Sequence, residues 1–258
     1  MDKRKQSIIV IGLFVIASIF SQALFYSLCA QTEQKDLHFE IQFPENKQNE
    51  PFTGRLFLIV TRTDDPEPRL QVGGWRSGPP LFGFDVNQLD PGSSVIIDKD
   101  VLGYPLKSLA EIPAGDYYMQ ALYNKYIKFE RSDGHTIWAH MDQWEGQKFN
   151  RSPGNLISDV QKIQYDPAAG FSGTLSLTKV IPPVAIPKDT KWVKRIKIKS
   201  ELLSEFWGRP IYLGATVLLP KGYETHPDVF YPVEYIQDHF NLRAPHGFQI
   251  EGSYNKKS

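Results

Sequence analysis

No helical periodicity is found between residues 37 and 187, and that absence limits the fold more than any motif does. Short apolar stretches alternate there with clusters of Gly, Pro and Asp. LHFEIQF, starting at Leu37, changes character at every residue, as a strand with one buried face does, whereas RLFLIVTR, starting at Arg55, is nearly continuous, as in a strand covered on both faces. Thr63-Asp64-Asp65-Pro66 is a turn cluster, and PRLQVGGW, LFGFDV and SSVIIDKD read as further strands between punctuating residues. IPAGDYYMQA, starting at Ile112, is a proline-glycine turn that feeds an aromatic strand, and residues 173–180 read as the last strand of the set. This succession predicts a mainly β chain that opens with an immunoglobulin-like antiparallel β-sandwich over residues 37–187. Pro182, Pro183 and Pro187 cannot ladder, so residues 181–188 read as an extended linker and the boundary falls near 188.

After the linker, KWVKRIKIKS (191–200) alternates as a half-buried strand with a basic outer face, its lysines discouraging edge pairing. Residues 202–207 read as a short link and 209–219 as the returning strand, with 214–219 apolar enough to be buried on both faces. Pro220 ends it, Lys221-Gly222-Tyr223 turns the chain, residues 224–228 form a polar surface connection, and Tyr231-Pro232 opens a further strand over 233–236. A strand ending in LLPKGYE, then a polar loop, then YPVEYIQ with a His soon after, resembles the entry to the α/β-hydrolase domain of the esterase family that includes enterochelin-esterase-like and esterase-D-like proteins. The resemblance covers roughly residues 191–248. It implies that residues 188–258 begin an α/β-hydrolase domain, and the order agrees with enterochelin-esterase-like proteins, where a sandwich precedes the hydrolase.

Such an enzyme needs a Ser on a strand-to-helix elbow, G-x-S-x-G, followed by an acid and a His. No G-x-S-x-G occurs here; the nearest string, Gly170-Phe171-Ser172-Gly173, lies in the sandwich. Asp238, His239 and Phe240 stand where the oxyanion loop of the family would begin, but no Gly follows His239; His246-Gly247 offers that pair slightly later. The expectation is an esterase-like chain truncated before its nucleophile elbow and inactive as it stands. Beyond the oxyanion-loop remnant Asp238, His239 and Phe240, no catalytic residue is assigned, and no Ser/His/acid triad is expected. Strands 217–219 and 233–236 should then expose apolar area or dock on the sandwich.

Lys3, Arg4 and Lys5 precede a weakly polar to apolar run, residues 8–30, which fits the charged and hydrophobic regions of a secretory signal cleaved after Ala30 or Cys29. Uncleaved, the run is long enough to anchor the chain in a bilayer. The expected location is secreted or periplasmic, with membrane contact only through that uncleaved segment. Cys29 is the only cysteine, so the chain beyond residue 30 has neither disulfides nor thiolate metal sites. A formal charge of +0 with no Lys/Arg stripe argues against nucleic acid. No cofactor is indicated, and His135 and His140, with Asp133 and Asp142 near them, lack a metal-ligand spacing, so no metal is assigned.

The most aromatic stretch, residues 123–166, looks like an insert in the sandwich and carries Tyr123, Tyr126, Phe129, Trp138, Trp144, Phe149 and Tyr165. Rings beside Asp, Asn and His suit a glycan or peptide groove, because rings stack on apolar faces while polar groups fix orientation; Trp138, Trp144 and Tyr126 are the candidate ligand contacts. Packing of the sandwich against the second part is the competing role for the same rings. Two functions are therefore expected: an exported esterase-like protein with a small-molecule ester as substrate, or a secreted β-sandwich module that binds a glycan or peptide.

Overall fold

Sequence alternation becomes strand after strand in the computed structural model, which describes residues 36–45, 50–74, 78–140, 148–237 and 243–249. In chain order the strands are β1 (Leu37–Gln42), β2 (Phe52–Thr61), β3 (Leu81–Leu89), β4 (Ser94–Asp98), β5 (Gly103–Tyr104) and β6 (Gly115–Glu130), then β7 (Thr136–His140), β8 (Leu156–Ser158), β9 (Gln161–Tyr165) and β10 (Phe171–Val180). A second group follows: β11 (Val193–Ser200), the helix α1 (Glu201–Trp207) and β12 (Ile211–Leu218). The chain is mainly β, as the pattern implies.

β6 is 16 residues long, enough to seat different partners along its length. One edge takes β2 over residues 118–125; β9 and β8 overlap that stretch and therefore occupy the other edge, while β7 folds back on the far end. The first ten strands form one sheet in the order β4-β1-β10-β8-β6-β2-β3-β5, with β7 and β9 attached to β6. Two features depart from a wholly antiparallel two-sheet sandwich. The sheet is continuous, and β1 runs parallel to β10. It curls so that its two halves share a core, where Phe39, Ile41, Ile97 and Leu175 meet Leu56, Leu58, Phe82, Met119, Tyr123 and Tyr165. The Tyr117 hydroxyl donates to the Pro113 carbonyl (2.8 Å), tying the start of β6 back to the preceding turn as a tyrosine corner does.

Residues 68–74, expected as part of a strand, form none. Pro68–Gln71 is a 3-10 turn laid across the outer side of the sheet, because its polar groups find partners there. The Arg69 amide donates to Gln120 Oε1 (3.0 Å), and Asn150 Nδ2 donates to the Arg69 and Val72 carbonyls (2.8 and 2.9 Å). These contacts flank a smaller apolar cluster of Ile59, Val72, Leu122, Ile157 and Ile181. The stretch 123–166 is consequently no insert: Tyr123 and Tyr165 are core residues, and β7, β8 and β9 belong to the sheet.

β11 and β12 form a separate antiparallel ribbon in full register from Val193↔Leu218 to Ser200↔Ile211. Three expectations are corrected here. Residues 202–207 are helical, started by Ser200, whose hydroxyl accepts from the Leu203 amide, and ended by Gly208 in the left-handed region (φ 61°). Residues 214–219 are not buried on both faces, since a two-stranded ribbon cannot cover them: Gly214 and Ala215 are exposed and Thr216, Val217, Leu218 and Leu219 only half-buried. Residues 233–236 form no strand; they run as irregular chain with Tyr235 92% exposed. The carboxyl segment thus exposes apolar area, as expected.

α1 is nevertheless docked on the β6–β7 hairpin. Phe129 meets Trp207 edge-on (5.4 Å between ring centroids), the Arg209 guanidinium lies 5.0 Å from the Phe129 centroid, and the Ser132 amide donates to the Phe206 carbonyl (2.8 Å). Phe129 therefore plays the packing role rather than the ligand role.

Candidate functional site

The β6–β7 hairpin turns tightly at Asp133-Gly134, with the Arg131 amide donating to the His135 carbonyl (2.9 Å) and Gly134 in the left-handed region (φ 84°) that a side chain disfavours. The His135 amide donates to Asp133 Oδ1 and holds that carboxyl below the usual carboxylate range. Beyond the turn, register separates two faces. Ile127, Phe129, Ile137 and Ala139 share the face turned toward α1. Tyr126, Lys128, Glu130, Thr136, Trp138 and His140 share the other.

Two of the three residues expected to contact a ligand, Tyr126 and Trp138, therefore lie on one face as diagonal neighbours, about 7–8 Å apart by strand geometry. Trp138 is 43% exposed and Tyr126 half-buried. Beside Trp138, toward the turn, Lys128 donates to Glu130 Oε1 (2.6 Å), a contact that holds the Glu130 carboxyl below its ordinary pKa. At the end of this face Ser152 Oγ and His140 Nε2 are 2.6 Å apart. Ser152 is fully buried, so this pair anchors the loop before β8 and offers no accessible nucleophile. Burial also lowers the pKa of His140. Trp144 lies outside the described residues, as do Asp142 and the oxyanion-loop remnant Asp238, His239 and Phe240.

Three further described histidines lie apart from this face and from one another. His135 pairs with Asp133 at the hairpin turn, His226 Nδ1 lies 2.9 Å from the Gly222 carbonyl, and His246 Nε2 lies 3.5 Å from Glu234 Oε2. Among the described residues no three His, Cys, Asp or Glu gather as a metal would require.

One constellation was invisible in the sequence. Parallel pairing of β1 with β10 sets His38 beside Ser172, with Ser172 Oγ 3.2 Å from His38 Nε2, and the other ring nitrogen, Nδ1, 2.9 Å from Asp36 Oδ2. The row sets a Ser, a His and an Asp side by side, a placement that the elbow motif did not anticipate. It uses the Ser172 of the nearest elbow-like string, but on a strand surface rather than on an elbow.

The chain matches no family model, no curated protein sequence and no solved structure. Among the described residues no helix is long and apolar enough to cross a membrane, and the expected leader, residues 1–30, lies outside them.

Proposed function

We propose that this chain is an exported binding module that recognises a glycan through the outer face of the β6–β7 hairpin. The observation that carries this reading is the placement of Tyr126 and Trp138 on one face, flanked by the Lys128–Glu130 pair. Rings so placed stack on the apolar faces of sugars, while charged and hydroxyl groups beside them fix the orientation of the ligand. Export rests on the basic-then-apolar order of residues 3–30. Affinity electrophoresis in gels containing polysaccharides tests the reading. The wild type should be retarded by at least one polysaccharide, and Trp138→Ala or Tyr126→Ala should lose most of that retardation. Retardation unchanged in both variants, or binding to extended peptides with none to polysaccharides, overturns it.

A second reading, membership of the esterase-like family, is favoured by one specific observation. The β11–β12 ribbon leaves Ile196, Ile198 and Leu213 uncovered on one face, as the opening strands of a larger sheet would. Coding DNA read beyond Ser258 tests it: an in-frame or frameshifted G-x-S-x-G elbow supports the kinship, and its absence over several hundred bases removes it.

A further inference from the structure

We propose that Asp36, His38 and Ser172 form a nucleophilic centre on the outer face of the β4–β1–β10 part of the sheet, taking small, unhindered carboxylic esters. It shares no residue with the hairpin face and holds whether or not that face binds a glycan.

The argument begins with register. His38 pairs with Ser172 on one side and with Asp98 on the other, so Asp98, His38 and Ser172 form a row across three strands with side chains on one face. Ser172 is exposed and the His38 side chain is 23% exposed, so the hydroxyl is open to a substrate while the ring is partly held by its neighbours. The two ring nitrogens are assigned opposite jobs by their partners. Nδ1, 2.9 Å from the Asp36 carboxylate, is the nitrogen that carries the hydrogen; Nε2, 3.2 Å from Ser172 Oγ, is left as the base. The Phe171 amide donates to the Asp36 carbonyl (2.9 Å), so in the parallel ladder residue 172 turns its own amide away from β1. The β8 ladder joins that edge of β10 only from Leu177 onward. The Ser172 amide is thereby a backbone donor turned off the β1 ladder beside its own hydroxyl, the kind of group that would receive an oxyanion.

Ser172 Oγ bonds to the acyl carbon as its proton passes to His38 Nε2. The carbon–oxygen bond to the alcohol then breaks, and His38 returns the proton to the departing alcohol. A water molecule next attacks the acyl-Ser172, giving a proton to His38. The carbon–Oγ bond breaks, the carboxylic acid leaves, and Oγ recovers the proton. Asp36 touches only the ring and is a positioning residue. Among the described residues the neighbours on this face are Glu40, Ile96 and Thr174, a strand surface and no pocket, so no selection by acyl-chain length is expected.

The test is covalent labelling of the full chain by a fluorophosphonate, read by intact mass and peptide mapping, because any free imidazole gives some background hydrolysis of p-nitrophenyl acetate. Labelling should fall on Ser172, disappear in Ser172→Ala, and slow by about 100-fold in His38→Gln, the usual size of a general-base contribution. Ser172 is exposed, so Ser172→Ala leaves the fold intact. Asp36→Asn should slow labelling because the ring loses the acceptor that orients it, and Asp36→Glu should restore most of the rate by supplying a carboxylate again. No label, label on another residue, label equally fast in His38→Gln, or an unchanged rate in Asp36→Asn overturns the assignment.

Discussion

Phe129→Ala tests how the ribbon is held to the large sheet. Phe129 is only 8% exposed, meets Trp207 edge-on, and carries the Arg209 guanidinium on its face. Returning such a ring to water forfeits about 2–3 kcal/mol of burial. Losing the edge-to-face pair removes about 1 kcal/mol and losing the cation–π contact about 0.5 kcal/mol. The junction should therefore weaken by about 3.5–4.5 kcal/mol, in the range found for buried Phe→Ala changes. A two-stranded ribbon is marginal by itself, so the loss should appear as local opening. Hydrogen exchange read by mass spectrometry should show residues 193–218 losing about 100-fold or more in protection, because each 1.4 kcal/mol is a factor of ten. Amides of β2 and the centre of β6 should keep theirs. If protection over 193–218 is unchanged, Phe129 does not hold the junction; if β2 loses protection equally, the two parts unfold as one unit.

Gln120→Leu should lower the unfolding free energy by about 2–6 kcal/mol in urea titrations, since it leaves the half-buried Arg69 amide and the buried Ser158 carbonyl without this partner at about 1–3 kcal/mol each; a loss below about 1 kcal/mol would refute the bonding assigned to it. Gly208→Ala should destabilise the α1 junction by at least about 1 kcal/mol in thermal melts, because φ is 61° there and a Cβ would sit 2.9 Å from the Glu130 carbonyl oxygen; an unchanged melting temperature would contradict this. His140 has a folded-state pKa lowered by burial, so the unfolded chain takes up its proton first as pH falls. Its contribution is fully present above the unfolded value of about 6.5 and is lost as pH drops through and below it. Stability compared between pH 7.5 and pH 5.5 should fall less in His140→Asn than in the wild type, and equal slopes would disprove the assignment.

Strands were the legible part of this molecule. The two-residue period of LHFEIQF and the continuous run RLFLIVTR reappear as β1 and β2, and the basic alternation of residues 191–200 as β11. α1 escaped notice because seven residues are too few to establish a helical period; the Ser200 and Gly208 caps were its only local signal. Pro68–Gln71 was misread because its conformation is set by Gln120 and Asn150, side chains far along the chain. Of the candidate ligand contacts, Tyr126 and Trp138 could be picked out as aromatic residues in a polar stretch, but their common face depends on the hairpin register.

Sequence alone determined that this chain is a β protein with a basic-then-apolar start, a proline-rich joint and a lysine-rich strand beyond it, because side-chain alternation and proline geometry act over a few residues. Only the tertiary structure decided which strands are neighbours. A parallel pairing of β1 with β10 is a choice among distant partners, made by burial in the shared core, and it alone places His38 between Asp36 and Ser172.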